Sequence, residues 1–205
     1  MAERAVPKES APCLPCAMTR RRGATLEEAI FDAVLAQLAA VGYGGLTMEG
    51  VAAQARTGKA TIYRRWPSKD DLIVDALQHR MPPTDDPPDT GSVRGDVLEL
   101  LTRMARTLNS ATGCAIQSLM GESQRDREFL RVVHARVIEP RRQMMLAVLQ
   151  RGVQRGEVRS HAVSRTVAEV GPAMVVHHFL VEGAPVTQGT LDDIVDQVVL
   201  PMLRP

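Results

Sequence analysis

Aromatic residues are scarce in this 205-residue sequence, where Phe, Trp and Tyr together contribute 3%. Apolar residues reach 44%, so the chain can bury a core, and that core must be aliphatic. Long runs of β-branched and aromatic residues, the residues enriched in strands, are also missing. The composition therefore argues against a β-sheet protein and favours an all-α fold.

Cysteine is rare too, and its three residues are Cys13, Cys16 and Cys114. An odd number of cysteines without secretory features does not make a disulfide framework. The C-x-x-C pair at Cys13 and Cys16 is half of a zinc site. A cysteine-based metal or redox sensor therefore stays as an alternative, while the main interpretation includes no metal and no cofactor.

Apolar stretches approaching the roughly 20 residues that span a bilayer are absent. Residues 1–19 contain three prolines and lack the apolar segment of a secretory signal peptide. We therefore expect a cytoplasmic protein without a membrane partner. Residues 1–19 have no hydrophobic period, which predicts a disordered extension.

Catalytic motifs are missing as well. The sequence contains no G-x-S-x-G, no glycine-rich phosphate loop, no H-E-x-x-H and no paired carboxylates in a buried context. We therefore expect that the protein is not an enzyme.

Positive charge is concentrated locally, although the net charge is only +1. Three arginines stand at 20–22, and the stretch from Val51 to Lys69 contains five basic residues and no acidic ones. The five are Arg56, Lys59, Arg64, Arg65 and Lys69. Local basic clusters in a nearly neutral chain indicate a specific surface for an anionic partner.

Breaks in the helical periodicity divide the chain. Residues 82–92 carry four prolines and three aspartates, which neither pack in a core nor continue a helix. We interpret them as a linker between an N-terminal domain at 20–81 and a helical domain at 93–205. Within these domains, Thr25 and Glu28 predict a capping box that starts the first helix. Pro140 predicts a kink in a long helix from Asp126 to about Arg155.

Two short helices in the N-terminal domain have the proportions of a helix-turn-helix motif. The first starts at Thr47, a good N-cap, and the second runs from Lys59 to about Trp66 after a break at 56–58. In this motif the second helix enters the major groove of double-stranded DNA with its N-terminal residues against base edges. Lys59 can donate to guanine, Thr61 can contact a base, and the small Ala60 allows close approach.

The run G-K-A-T-I-Y-R-R-W-P-S-K-D-D-L at 58–72 resembles the DNA-binding domain of the TetR/AcrR family of transcriptional regulators. The close resemblance covers roughly Thr25 to Leu77. It implies an all-α fold, with an N-terminal three-helix helix-turn-helix domain and a C-terminal helical domain for ligand binding and dimerisation. The expected function is sequence-specific repression that a small-molecule effector relieves.

The resemblance also implies roles for individual residues. Lys59 and Thr61 face bases beside Ala60, and Arg64 lies near a base edge or the backbone. The residues implied to contact phosphates are Thr47, Tyr63 and Lys69. Arg21 and Arg22 belong to a basic arm that can enter the minor groove. Arg56 departs from the family pattern, because the turn commonly has glycine at that position.

The C-terminal domain is expected to bind an effector and to form a homodimer through its last two helices. The predicted dimer residues are Val170, Met174, Ile194, Val195, Val198 and Met202, an apolar set at helical spacing. Packing of both helices inside one subunit is the alternative. A homodimer would bind a palindromic operator, with its two recognition helices about 34–36 Å apart.

The effector pocket is predicted from adaptable methionines and polar options nearby. Its candidate residues are Met104, Leu108, Met120, Met174 and His177. These side chains suggest a largely apolar ligand. A DNA-binding regulator that needs no ligand, or an activator, remains as an alternative because the sequence identifies neither the effector nor the sign of regulation.

Overall fold

A computed structural model of the protein describes residues 23–123, 126–183 and 185–204. Throughout these ranges the regular structure is helical, with no strand, which confirms the predicted all-α fold. None of the helices is both long and apolar enough to cross a membrane. The first six helices are α1 (Ala24–Gly45), α2 (Met48–Gln54), α3 (Lys59–Tyr63), α4 (Lys69–Arg80), α5 (Val93–Leu108) and α6 (Ala111–Ser123).

The remaining helices contain three π-helical segments, in which the backbone hydrogen bonds span one residue more than in an α-helix. The predicted long helix is divided ahead of Pro140, as α7 (Arg127–Val133), a π-helical segment (His134–Ile138) and α8 (Glu139–Gln154). A short 3₁₀ turn (Ser160–Ala162) and α9 (Arg165–His177) follow, and α9 continues into a second π-helical segment (His178–Glu182). The last stretch is α10 (Gln188–Asp193), a third π-helical segment (Ile194–Val199) and α11 (Leu200–Leu203).

Side-chain caps start both α2, as predicted from Thr47, and α4. The Thr47 hydroxyl accepts a hydrogen bond from the Gly50 amide at 3.1 Å, and the Ser68 hydroxyl accepts one from the Asp71 amide at 3.1 Å. Each cap satisfies an amide that a helix leaves without an intrahelical partner. These caps set where the two helices begin.

The predicted capping box at Thr25 is wrong. Helix α1 begins at Ala24 after Gly23, which has a φ of 65° and provides no side-chain cap. Glu28 does not reach back to the start of the helix. Its carboxylate instead lies 2.5 Å from His79 Nε2 and 2.8 Å from Arg80 Nη2, both on α4. The local capping signal loses to ion pairs between α1 and α4.

The first hydrophobic core lies among α1–α4 and extends beyond the proline-rich segment. Trp66 is 3% exposed and packs edge-on against Phe31 of α1, with ring centroids 5.7 Å apart. Leu119 of α6 and Phe129 of α7 belong to the same core. The N-terminal helices are therefore packed directly against helices that follow residues 82–92.

The proline-rich segment is fixed at its end by a buried aspartate. Asp96 of α5 is fully buried and accepts hydrogen bonds from the Thr90 amide at 2.6 Å and the Thr90 hydroxyl at 2.8 Å. Arg155, which follows the end of α8, donates to the same carboxylate at 3.1 Å, and Arg151 of α8 donates to the Pro88 carbonyl. Burial opposes ionisation of Asp96, but the Thr90 and Arg155 hydrogen bonds outweigh it and lower its pKa.

Candidate nucleic-acid interface

The helix-turn-helix is formed by α2, α3 and the turn between them. Val51 of α2 and Ile62 of α3 are fully buried and fix the two helices against the first core. In the turn, Arg56 has a φ of 54°, in the left-handed region. A side chain there costs free energy that glycine avoids. The departure of Arg56 from the family pattern therefore falls at the position where the backbone most favours glycine.

The outer face of α3 presents the predicted base-reading residues to solvent. Lys59, Ala60, Tyr63 and Arg64 are exposed, and Thr61 is half-buried. Lys59 lies 3.7 Å from Glu49, with side chains 68% and 57% exposed. An ion pair this exposed contributes at most about 1 kcal/mol, so Lys59 can exchange Glu49 for another partner.

Two predicted phosphate contacts differ in availability. Thr47 is exposed, and its hydroxyl, which accepts from Gly50, keeps its own hydrogen free to donate. Lys69 is half-buried: its Nζ donates to the Tyr43 carbonyl at 3.0 Å and lies 3.9 Å from the centroid of the Tyr43 ring. Lys69 therefore stabilises the packing of α4 on α1 in this structure.

Arg65, another basic residue of the predicted cluster, is engaged in contacts within the protein. Arg65 donates to Glu27 of α1 at 2.7 Å and lies 4.9 Å from the centroid of the Trp66 ring.

Arg21 and Arg22 lie outside the described residues, as do Cys13 and Cys16. Cys114 is exposed and free, and the part of the chain that the structure describes contains no group of three metal-ligating side chains.

A network of hydrogen bonds that the sequence did not predict connects the region just after α3 to the π-helical segment ahead of α8. Trp66 Nε1 donates to one carboxylate oxygen of Asp75 at 2.7 Å. Arg136, in the first π-helical segment, donates to the other oxygen of the same carboxylate. Asp75 therefore links the end of the helix-turn-helix to the C-terminal half.

Pro140 explains a second contact in this hydrogen-bond network, between Gln78 and the Arg136 carbonyl. Proline lacks an amide hydrogen, so it cannot donate to the carbonyl four residues earlier, which belongs to Arg136. The side chain of Gln78 on α4 donates to that carbonyl at 2.7 Å. Arg136 Nη2 in turn donates to the Gln78 side-chain oxygen at 3.1 Å. The proline was the one sequence signal that pointed to this junction.

Tyr43 forms a further junction between the two halves. Its hydroxyl lies 2.8 Å from an Asp70 oxygen and 3.0 Å from an oxygen of Asp126, the N-cap of α7. Burial and the two carboxylates raise the pKa of Tyr43, so its hydroxyl stays protonated. Hydrogen bonds from the Phe129 amide and from Tyr43 lower the pKa of Asp126.

The predicted pocket residues are not gathered into one cavity. Leu108 is buried in a second hydrophobic core, which lies among α5, α8, α9 and the last helices. Met104 packs against that core, and Met120 is half-buried on α6. Met174 and His177 instead line a surface groove of about 510 Å³ between α9 and the last helices.

The predicted dimer residues divide into two groups by exposure. Val195 is fully buried and supports the core of its own subunit, whereas Ile194, 4% exposed, lies in that core and also lines the 510 Å³ groove. Met174 is 39% exposed, and Val170, Val198 and Met202 are half-buried. Met174 and Val198 both line the 510 Å³ groove, whereas Val170 and Met202 do not.

Family comparisons agree with this architecture in both halves. The family described as bacterial regulatory proteins, tetR family, matches residues 30–76. The family described as tetracyclin repressor-like, C-terminal domain, matches residues 87–198. Together the two matches contain α2, α3, most of α1 and α4, and most of the C-terminal helices.

Individual relatives extend over most of the chain. An HTH-type transcriptional regulator of Mycobacterium tuberculosis is 34% identical over 79% of this chain and 80% of its own length. The DNA-binding transcriptional repressor TetR of Mycobacteroides abscessus is 30% identical over 90% of this chain and 97% of its own.

Two crystal structures are similar in fold. A TetR family transcription regulator has a TM-score of 0.66 at 26% identity, covering 88% of this chain and 99% of that one. FadR of Bacillus subtilis, crystallised with stearoyl-CoA, has a TM-score of 0.70 at 15% identity, covering 83% and 98%. At that identity, the likeness to FadR is one of fold alone.

Proposed function

Because the chain belongs to the TetR family of DNA-binding transcriptional regulators, we propose that it is a cytoplasmic repressor released from its operator by a small molecule. The exposed face of α3 carries this proposal. Tyr63 is 44% exposed, and neither the Tyr63 nor the Arg64 side chain forms a hydrogen bond or ion pair with another described residue. Such side chains are free to contact DNA without losing an internal partner.

DNA recognition follows from the order of residues on α3. Lys59, Ala60 and Thr61 stand at its N-terminal end, where a recognition helix approaches base edges. Tyr63 and Arg64 follow at the C-terminal end, with Thr47 exposed at the start of α2. Contacts from these residues to phosphates would fix the register of α3 on the duplex and make binding sensitive to salt.

A homodimer would place two copies of α3 in successive major grooves, about 34–36 Å apart. The groove beside Met174 and Val198 is our proposed dimer surface, because exposed apolar groups there gain by being covered. A dimer through this surface requires an operator with two-fold symmetry.

Release requires that the effector bind better to the conformation that does not fit DNA. We propose a largely apolar effector in the C-terminal half, acting through the contacts that fix α4. A shift of α7 or of the segment at His134–Ile138 would move Arg136 relative to Asp75 and Gln78. Since Asp75 also binds Trp66, the shift would reorient α3.

The direct test is a fluorescence-anisotropy titration of the full chain on DNA from upstream of its own coding region, at two salt concentrations. We expect tight, salt-sensitive binding that Lys59→Ala and Tyr63→Ala each weaken about tenfold or more. Arg127→Ala is the matched control, because Arg127 is exposed on α7 and has no partner among the described residues. Equal binding by all four proteins would contradict the assignment of α3 as the recognition helix.

A further inference from the structure

A second groove, of about 410 Å³, lies where the last turn of α4 meets α5. This volume is within the roughly 300–1,000 Å³ that small-molecule sites occupy. Every charged side chain on its walls is an arginine. The lining residues are Arg80, Met81, Pro82, Arg103, Arg106, Thr107 and Ser110.

The arginines are only partly neutralised. Arg80 pairs with Glu28 and Asp32 of α1, at 2.8 and 2.6 Å. Arg103 pairs with Glu99 at 2.8 Å, but none of these three carboxylates lines the groove. Arg106 is exposed, and its side chain has no ion pair or hydrogen bond within the described ranges. The groove therefore keeps an excess of positive charge.

A fourth arginine, Arg141, contacts the backbone of Pro82 at the edge of the groove and has no counter-ion among the described residues. Arg141 of α8 donates to the carbonyl of Pro82 at 3.3 Å and to that of Val137 at 2.8 Å. Among the described residues no carboxylate pairs with it. Burial lowers the pKa of Arg141, the direction expected for a guanidinium that is desolvated without a paired carboxylate. A nearby anion would stabilise this charge.

We propose that this groove binds a small organic anion, with a carboxylate or phosphate between Arg103 and Arg106 and an apolar part against Met81 and Pro82. Guanidinium groups match the planar geometry of these anions and bind them with charge-assisted hydrogen bonds. The hydroxyls of Thr107 and Ser110 already donate to the carbonyls of Arg103 and Thr107, so the guanidinium groups are the donors that the groove offers to the anion.

The position of the groove gives the anion a consequence for DNA binding, which rests on the proposed function above. Its walls combine Arg80, at the end of α4, with α5 of the C-terminal half. An anion that draws Arg80 toward Arg103 would compete with Glu28 and Asp32 for the same guanidinium. The packing of α4 on α1 would then change, and with it the orientation of the helix-turn-helix.

Isothermal titration of the full chain without DNA tests the site directly, at constant ionic strength. Octanoate provides a carboxylate with an apolar tail, 1-octanol is its uncharged control, and inorganic phosphate shows whether charge alone suffices. We expect octanoate to bind saturably with one site per chain, and octanol not to bind. Arg106→Gln and Arg103→Gln should each weaken octanoate binding about tenfold.

Arg127→Gln, which removes an exposed arginine elsewhere, should leave octanoate binding unchanged, and circular dichroism melts would show that each variant is folded. The proposal is wrong if neither octanoate nor phosphate binds up to about 10 mM, or if the groove variants bind as the wild type does. An anisotropy titration on DNA with the same samples separates the two ideas. Intact DNA binding without anion binding would overturn the groove alone.

Discussion

Asp75 accepts hydrogen bonds on both carboxylate oxygens, and replacing it tests the link between the helix-turn-helix and the C-terminal half. Trp66 is 3% exposed, so in Asp75→Ala its indole N–H would be buried without an acceptor. An unsatisfied buried donor costs about 1–3 kcal/mol. The lost ion pair with Arg136, which is about one-third exposed at both ends, adds at most about 1 kcal/mol.

Asp75→Asn separates these two contributions. Its amide oxygen can still accept from Trp66, while the charge opposite Arg136 is lost. For a protein of this size each kcal/mol lowers the Tm by about 2–4 °C. At a total cost of about 2 kcal/mol, the middle of this range, we expect Asp75→Ala to lower the Tm by about 4–8 °C, and we expect Asp75→Asn to lower it by less than about 4 °C.

Differential scanning calorimetry measures both variants beside Asp85→Ala, which removes an exposed aspartate without a partner among the described residues. Equal losses in Asp75→Ala and Asp75→Asn would refute the role of Asp75 as the Trp66 acceptor. In the anisotropy assay, Asp75→Asn should also weaken DNA binding several-fold, because a loosened α4 lowers the population of the competent orientation. Unchanged affinity would contradict the proposed coupling through Arg136.

Three further perturbations test other parts of the structure. Arg56→Gly should stabilise the fold by about 1 kcal/mol, since it relieves the φ of 54°; a lower urea midpoint than the wild type would contradict this. Met174→Glu should give monomers in light scattering, whereas Leu130→Glu, at an equal 39% exposure, should not; two dimeric variants would exclude the proposed seam. Because Asp126 has a lowered pKa in the folded state, its stabilisation is complete above the ordinary aspartate pKa of about 3.9 and is lost as the pH falls further. Asp126→Asn should therefore lose less stability than the wild type between neutral and acidic pH in urea melts, and parallel curves would contradict this assignment.

Helix caps that depend only on residues close together in sequence could be predicted from the sequence. Thr47 caps its helix as expected, because a hydroxyl and an amide three residues apart need nothing else to meet. Thr25 and Glu28 offered a similar signal, but Glu28 instead pairs with His79 and Arg80. Those partners lie about fifty residues away in sequence, so no local rule could anticipate them.

Contacts between distant segments account for what the sequence left open. Lys69 was assigned to phosphate by family resemblance, while its donation to the Tyr43 carbonyl depends on the packing of α4 on α1. Helical spacing placed Ile194 and Val195 on an apolar stripe. Such a stripe fits a subunit core or a dimer seam equally well, and burial resolves this for Val195. The Asp75–Arg136 contact needed the fold, and only Pro140 marked its place.

Selection of binding sites from random duplex DNA by the full-length wild-type chain tests sequence-specific operator binding most directly, since it presumes no target gene. We predict enrichment of one two-fold symmetric site with half-sites about 10 base pairs, or one helical turn, apart, and loss of that enrichment with Lys59→Ala. A pool that stays unenriched after repeated rounds, or the same site enriched by the Lys59 variant, would contradict recognition of DNA by α3.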